Sequence, residues 1–448
     1  MSLAEFMTES GTNEYPISKV AKNEWLGFAM YTVESRAIPN MIDGLKPVQR
    51  FYLYSSLLNS KKDFKKVSAV AGIISDYGYN HGEGSAAGAG QLMAATWNNN
   101  VCLVEGRGSF GTRLVQEAGA PRYVYTRVHE NFEKYISDVD LAPQHEDPEH
   151  EPPAFYIPVI PLVLANGTKG IATGFATNIL PRSAKDLSGA VREYLVSGTI
   201  AKKLPITFPD FSGKVTYDSV EDKYTVYGTY EKNSKTVLTI TEVPYGFDRE
   251  SYVKILDKLE EDNDIVSYED LCDKTGFRFE VKLKQSGSSS WNDAKIVSKF
   301  KLSKPLSENL TVIGFDGKLR EYKDERVLIK DFVDYRLGIL SQRITKRIEE
   351  STELARWLNV KMNFIQAVLD EKIIFKNKKK KDVIDQMVKA LIPIINDDAE
   401  RLLRINIMSL TDEMVNELAK EIKEAEKQLK FWSKTTTKDQ FISDLDNI

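Results

Sequence analysis

Cysteine is scarce in this 448-residue chain: Cys102 and Cys272 stand alone and far apart. So few thiols exclude a disulfide framework and point to a reducing compartment. Long apolar runs are also missing, and no stretch nears the roughly 18 residues that a membrane-spanning helix needs. The N-terminal segment from Met1 to Pro16 is polar and acidic. It lacks the basic start and apolar core of an export leader. There is no internal repeat, no long low-complexity tract and no Walker-type loop for a nucleotide phosphate. An overall positive charge is lacking too, since the net charge is −4, and that total alone argues against phosphate binding.

What is present is ample for folding. At roughly 100 to 200 residues per domain, the length implies two to four domains. Hydrophobic residues at 42% and charged residues at 28% match a globular chain. The charge is uneven: between Arg36 and Arg127, eleven Lys and Arg stand against six Asp and Glu. One segment is therefore basic inside an acidic protein.

The pattern changes along the chain. Residues 22–135 alternate apolar helical runs with breaks at Ile38-Pro39 and Asp43-Gly44, which reads as a mainly helical domain interrupted by loops. Residues 148–181 are rich in Pro and Gly around short apolar runs and read as a connector of strands and turns. From Lys214 to Tyr245 the alternation of Thr, Val and Tyr predicts an antiparallel sheet. A helix follows at Ser251 to Glu261, and a strand pair is expected at Leu310 to Tyr322 about Asp316-Gly317. Beyond Glu325, the seam Leu337, Leu340, Ile344, Leu354, Leu358, Ile365, Val368 and the later seam Leu418, Ile422, Ala425, Leu429, Trp432 predict two long helices packed as an antiparallel coiled coil. Thr411 is the expected N-cap of the second.

Several residues suggest chemistry. A tyrosine hydroxyl, with a pKa near ~10, needs adjacent positive charge or a metal to act as a nucleophile. Arg122 immediately precedes Tyr123, and an arginine beside a phosphate matches the charge that grows during phosphoryl transfer. One such pair among 20 tyrosines says little by itself. The run from His145 to Glu151 brings two histidines and several carboxylates together, but Pro152 and Pro153 follow it, and it reads as a solvated acidic loop. The glycines from Gly106 to Gly111 lack the strand, helix and acidic residue of a dinucleotide loop.

Taken in order, five stretches resemble the breakage-and-reunion subunit of type IIA DNA topoisomerases. They are Ser35 to Arg50 with its Asp43-Gly44-Leu45-Lys46-Pro47 core, Asp76 to Ser85 around His81-Gly82, Glu105 to Arg113, Glu117 to Arg127 around Arg122-Tyr123, and Gly170 to Ile179. The likeness runs from about Trp25 to Trp432, with Ile38 and Asn80 as departures from the usual motifs. It implies an α+β multidomain fold: an N-terminal arm (1–21), a winged-helix DNA-cleavage domain (22–160), an α+β tower or shoulder domain (161–325), an antiparallel coiled coil (326–437) with a small helical C-terminal dimer gate near 370–410, and a tail (438–448). It implies Tyr123 as the nucleophile, with Arg122, Arg36 and His81 stabilising charge. Lys46, Gln49, Arg50, Arg107, Arg113 and Ser85 would contact DNA, and Ile179 would wedge between base pairs. The expected partners are double-stranded DNA, a second copy of the chain through the gate, and a subunit carrying both the ATPase and the Mg2+ site, since no metal site is legible in this chain. The expected place is the cytoplasm, that of the host cell if the source is viral. Two other readings remain open at this stage: a DNA-bending protein that makes no bonds, and a coiled-coil scaffold.

Overall fold

The computed structural model describes Lys19 and residues 25–448, so the expected N-terminal arm lies, apart from Lys19, outside the described residues. The described residues form two compact units, one of those up to 334 with 445–448 and one of residues 335–444. The expected cleavage and tower domains both fall within the first unit.

In that unit, α1 (Leu26–Thr32) runs into a wider π-turn at Val33–Ala37, closed by Ile38 N donating to Val33 O at 3.2 Å. Such wide turns cluster at functional sites, and this one carries Arg36. Pro39 keeps the preceding residue extended and ends the helix. The Asp43-Gly44 turn that follows locks itself. The Asp43 carboxylate accepts from Leu45 N at 2.9 Å, from Tyr156 N at 3.0 Å and from Arg50 Nε and Nη2 at 2.9 and 3.0 Å. Gly44 has φ +70°, and an added Cβ would lie 2.6 Å from the Val163 backbone. Only glycine fits there. Helix α2 (Pro47–Asn59) begins with Pro47, whose missing N–H costs nothing in a first turn.

Helix α2 packs with α3 (Val67–Gly72) and α4 (Glu83–Ala94) against a three-stranded sheet in the order β1-β3-β2, made of β1 (Lys65–Lys66), β2 (Val104–Arg107) and β3 (Tyr125–Val128). The helical reading of 22–135 passed over these short strands. The acidic loop after residue 144 braces the segment before α4. Glu151 N donates to Tyr77 O at 3.1 Å, and an added Cβ on Gly78 (φ +96°) would lie 2.0 Å from Glu149 O. His150 stacks on His145 at 3.8 Å and lies 4.3 Å from the Phe51 ring. Burial, reinforced by the charge of His145, pushes its pKa down to about 4.

The apolar run after Tyr156, expected as strand and turn, passes into a short helix α5 (Leu162–Asn166). It is buried on every side, so no periodicity marks it as helix or strand. A hairpin of β4 (Thr168–Ile171) and β5 (Ala176–Ile179) follows, then α6 (Ala184–Ser197). The alternating segment from Lys214 forms β6 (Lys214–Asp218), β7 (Lys223–Tyr227), β8 (Thr229–Lys232) and β9 (Val237–Glu242). It divides between two antiparallel sheets rather than forming one. Gly228 makes the break: its N donates to Leu302 O at 2.9 Å, and an added Cβ would lie 2.4 Å from Glu242 O. After α7 (Arg249–Glu261), β10 (Ile265–Asp270) and β11 (Phe279–Leu283) complete the order β10-β11-β9-β8. After α8 (Asp293–Lys299), β12 (Ser303–Leu306) completes β12-β7-β6. Leu238, Ile240, Tyr252, Leu256, Phe279, Val281 and Phe300 form the core beneath the larger sheet. The expected hairpin about Gly317 is present as β13 (Leu310–Ile313) and β14 (Leu319–Tyr322).

The long helix α9 (Glu325–Leu369) enters the second unit, which also holds α10 (Lys380–Lys389), α11 (Asp398–Leu403) and α12 (Asp412–Lys434). Leu358, Phe364 and Ile365 of α9 share one core with Leu418, Ile422 and Ala425 of α12 and with Val383, Met387 and Leu402 between them. Thr411 caps α12 as expected, accepting from Met414 N at 3.2 Å. Leu354 is exposed and Ala355 buried, because a 3.6-residue helix drifts off a heptad seam. The stretch expected as a tail is largely helical, α13 (Thr437–Asp446). Its Asp444 pairs with Arg336 at 2.6 Å and with Arg343 at 2.9 Å.

The Asp43–Arg50 pair is buried, with side-chain exposures of 0% and 5%. Removing one partner strands the other charge, so Arg50→Ala should cost about 3–5 kcal/mol of stability. Denaturant unfolding checks this, and a loss below about 1 kcal/mol would contradict the structural role.

Candidate active site

Tyr123 sits in the turn just before β3. Its backbone N donates to Ala120 O at 2.8 Å, Val67 N donates to Val124 O at 3.0 Å, and Ser68 N donates to Pro121 O at 3.2 Å. Gln91 Nε2 holds Gly119 O at 2.6 Å. The next side chain, Val124, is buried, and its Cγ1 lies 3.1 and 3.2 Å from where a Cβ on Gly108 or Gly119 would be. Gly108 and Gly119 thus admit Val124. Against this fixed backbone the Tyr123 side chain points out, 68% exposed. The Arg122 guanidinium carbon lies 4.7 Å from the centre of its ring, close enough for cation–π attraction. Phenol and cation are therefore presented together.

A second group forms where the π-turn meets the segment before α4. Arg36 Nη2 lies 3.2 Å from His81 Nδ1, and the Tyr31 hydroxyl lies 2.8 Å from His81 Nε2. Tyr79, buried, packs edge-on against the imidazole at 5.2 Å. Burial first, and then the charge of Arg36, hold the His81 pKa below its usual value. Ser85 is exposed on the first turn of α4, beside backbone N–H groups that suit an anion.

Lys46 and Gln49 flank the same region. Lys46 Nζ donates to Lys169 O at 2.8 Å, and Gln49 Oε1 accepts from Lys46 N at 2.9 Å. Burial lowers the Lys46 pKa. Together with Arg36, Ser85, Lys169 and Lys304 they line a groove of about 910 Å³. The β4–β5 hairpin is seated against the π-turn, since a Cβ on Gly170 would lie 2.0 Å from Ala37 O. Arg107 is exposed, its guanidinium 6.0 Å from the Phe64 ring.

Three expected contacts are corrected. Arg50 is spent on Asp43 and the Leu45 carbonyl. Arg113 is buried among Phe211, Tyr245 and Phe277 and pairs with Glu242 at 3.2 Å. It ties the glycine-rich loop to the β-rich part of the unit, and both arginines are buried. Ile179 is 3% exposed, whereas Ile171, at the other end of the same hairpin, is 78% exposed. A buried side chain is not placed to enter a base step, and the exposed Ile171 is a residue that sequence reasoning missed. Its signal was the flanking Gly170 and Gly174, which mark a projecting turn. Tyr31 and Lys169 were missed as well, with no signal beyond the nearby motifs.

Among the described residues, no group of three or more His, Cys, Asp or Glu side chains converges to hold a metal ion. His145 and His150 stack face to face instead. The described residues do not by themselves fit a metal centre.

Known proteins resemble this chain in sequence and fold. The family model for the DNA gyrase/topoisomerase IV A-subunit matches residues 36–446. The chain is 42% identical to the DNA topoisomerase medium subunit of Enterobacteria phage T4 over 97% of this chain and 99% of that one. It is 26% identical to DNA topoisomerase 2 of Plasmodium falciparum over 95% of its own length but only 34% of the relative's. The crystal structure of the DNA-binding, cleavage and re-ligation domain of Plasmodium falciparum topoisomerase II superposes with a TM-score of 0.85 at 26% identity, covering 95% of this chain and 62% of that one. With the family model matching nearly the whole described chain, the protein belongs to the DNA gyrase/topoisomerase IV A-subunit family.

Proposed function

We propose that this chain is the DNA-cleaving and rejoining subunit of an ATP-dependent type II topoisomerase, with Tyr123 as its nucleophile. The observation that carries the reading is an exposed phenol on an immobilised turn with an arginine against its ring. The Tyr123 oxygen attacks a DNA phosphorus in line and forms an O–P bond. The phenol proton passes to solvent, the bond to the 3′ oxygen breaks and that oxygen takes up a proton from solvent, leaving a 5′-phosphotyrosyl link and a free 3′-hydroxyl. Arg122 and Arg36 offset the charge that grows on the phosphate, with His81 held against Arg36 at 3.2 Å. Because the link conserves a phosphodiester, the reverse attack reseals the strand. Two copies acting on opposite strands open a duplex for passage of a second one. A protein that only bends DNA has no use for a phenol held in this way.

The finer assignments belong to the same reading. Helices α2 to α4 with the β1-β3-β2 sheet suit a winged-helix cleavage domain, and the two later sheets suit a tower. Val388, Leu391, Ile395 and Met408, between 50% and 87% exposed, suit a gate through which two copies join, since apolar surface of this kind favours association. Lys46, Gln49, Ser85, Arg107 and Lys169 would hold the DNA backbone, and Ile171 would act as the wedge. A partner subunit would bring the ATPase and the Mg2+ site, where the metal would supply charge neutralisation at the reacting oxygens. The cytoplasm, of a host cell as for the phage relative, is the proposed place of action. No described helix is long and apolar enough to cross a membrane.

Tyr123→Phe should abolish covalent DNA attachment when the chain is mixed with its partner subunit, Mg2+ and supercoiled plasmid, while binding stays within about twofold. Persistent protein-linked DNA in that variant would sink the assignment. The two isoleucines separate as well. Ile171→Ala should weaken DNA bending and leave the melting temperature unchanged, whereas Ile179→Ala should cost about 2–4 kcal/mol of stability. The reverse pattern, read by fluorescence energy transfer across the DNA ends and by thermal unfolding, would restore Ile179 as the wedge.

A further inference from the structure

Tyr31, on the last turn of α1, lies outside the motifs that carry the family resemblance, yet it makes the most direct contact to His81. The guanidinium of Arg36 can only donate, so at 3.2 Å the His81 Nδ1 must accept. The imidazole proton therefore sits on Nε2, 2.8 Å from the Tyr31 oxygen, and is donated to it. That leaves the Tyr31 O–H pointing its own proton elsewhere, on a side chain 41% exposed. Arg36 also lies 5.9 Å from the Tyr31 ring, and the rings of Tyr31 and His81 meet edge to face at 6.1 Å. Tyr79 closes the inner side of the imidazole at 5.2 Å.

Each bond in this chain of donors polarises the next. With a cation at its far end, the Tyr31 hydroxyl becomes a stronger donor, suited to an anionic oxygen. We propose that Tyr31 donates a hydrogen bond to a non-bridging oxygen of a DNA backbone phosphate, and that His81 acts through Tyr31 as a positioning residue. The inference rests on the DNA-cleavage reading and refines the part His81 plays in it. No bond is made or broken at Tyr31. It is a substrate contact that fixes where one phosphate sits relative to Arg36.

The test uses the chain with its ATPase partner, on a duplex in which each phosphate near the cleavage position is replaced in turn by an uncharged methylphosphonate. Binding is read by fluorescence anisotropy, separately from cleavage. Tyr31→Phe should weaken binding to the unmodified duplex by about tenfold, and that penalty should vanish at one methylphosphonate position. His81→Ala should lose its penalty at the same position. A Tyr31→Phe penalty equal at every position, as for a merely structural role, or no penalty at all, would overturn the proposal. A complex that binds but never forms a covalent link contradicts the cleavage function while still deciding the question of Tyr31.

Discussion

A phenol that attacks a phosphate must reach into solvent while the chain that carries it stays still. The packing of Val124 between Gly108 and Gly119 meets both demands. Burying the side chain after Tyr123 turns Tyr123 itself outward, and four backbone or side-chain hydrogen bonds around the turn hold it there. Gly108 of the glycine-rich loop then leaves room for Val124, while Gly106 and Gly111 leave room for Phe110 and for the Gln116 backbone.

The cations divide by a related logic. Arg50 and Arg113 are taken out of water and paired with Asp43 and Glu242, so they fix turns and join parts of the first unit. Arg36, Lys46, Arg107, Arg122 and Lys169 keep at least part of their surface. A net charge of −4 does not set the local charge, since Arg36, Lys46, Lys169 and Lys304 line the groove and Arg122 lies against the Tyr123 ring. A phosphate responds to that local field more than to the total, since solvent charges beyond about 8–10 Å are screened.

Motif order made the family legible from sequence, and seam periodicity located both long helices. It did not make side-chain direction legible. Arg50 and Arg113 fall in stretches that handle DNA in the family, but direction depends on Asp43 and Glu242, the latter 129 residues from Arg113. Ile171 and Ile179 share one hairpin, and only tertiary packing decides which of them is covered. The division of the alternating segment between two sheets escaped notice because it depends on β10, β11 and β12, which arrive later in the chain. Tyr31 carried no signal at all, as its partner lies 50 residues away across the fold.

The central claim is that Tyr123 becomes joined to a 5′-phosphate. Trapping the covalent complex with denaturant, trimming the DNA with nuclease and digesting with trypsin should yield the peptide Tyr123-Val124-Tyr125-Thr126-Arg127, with the nucleotide on its first residue by fragmentation mass spectrometry. A nucleotide on Tyr125 or on any other residue, or a link through a 3′-phosphate, would contradict the account.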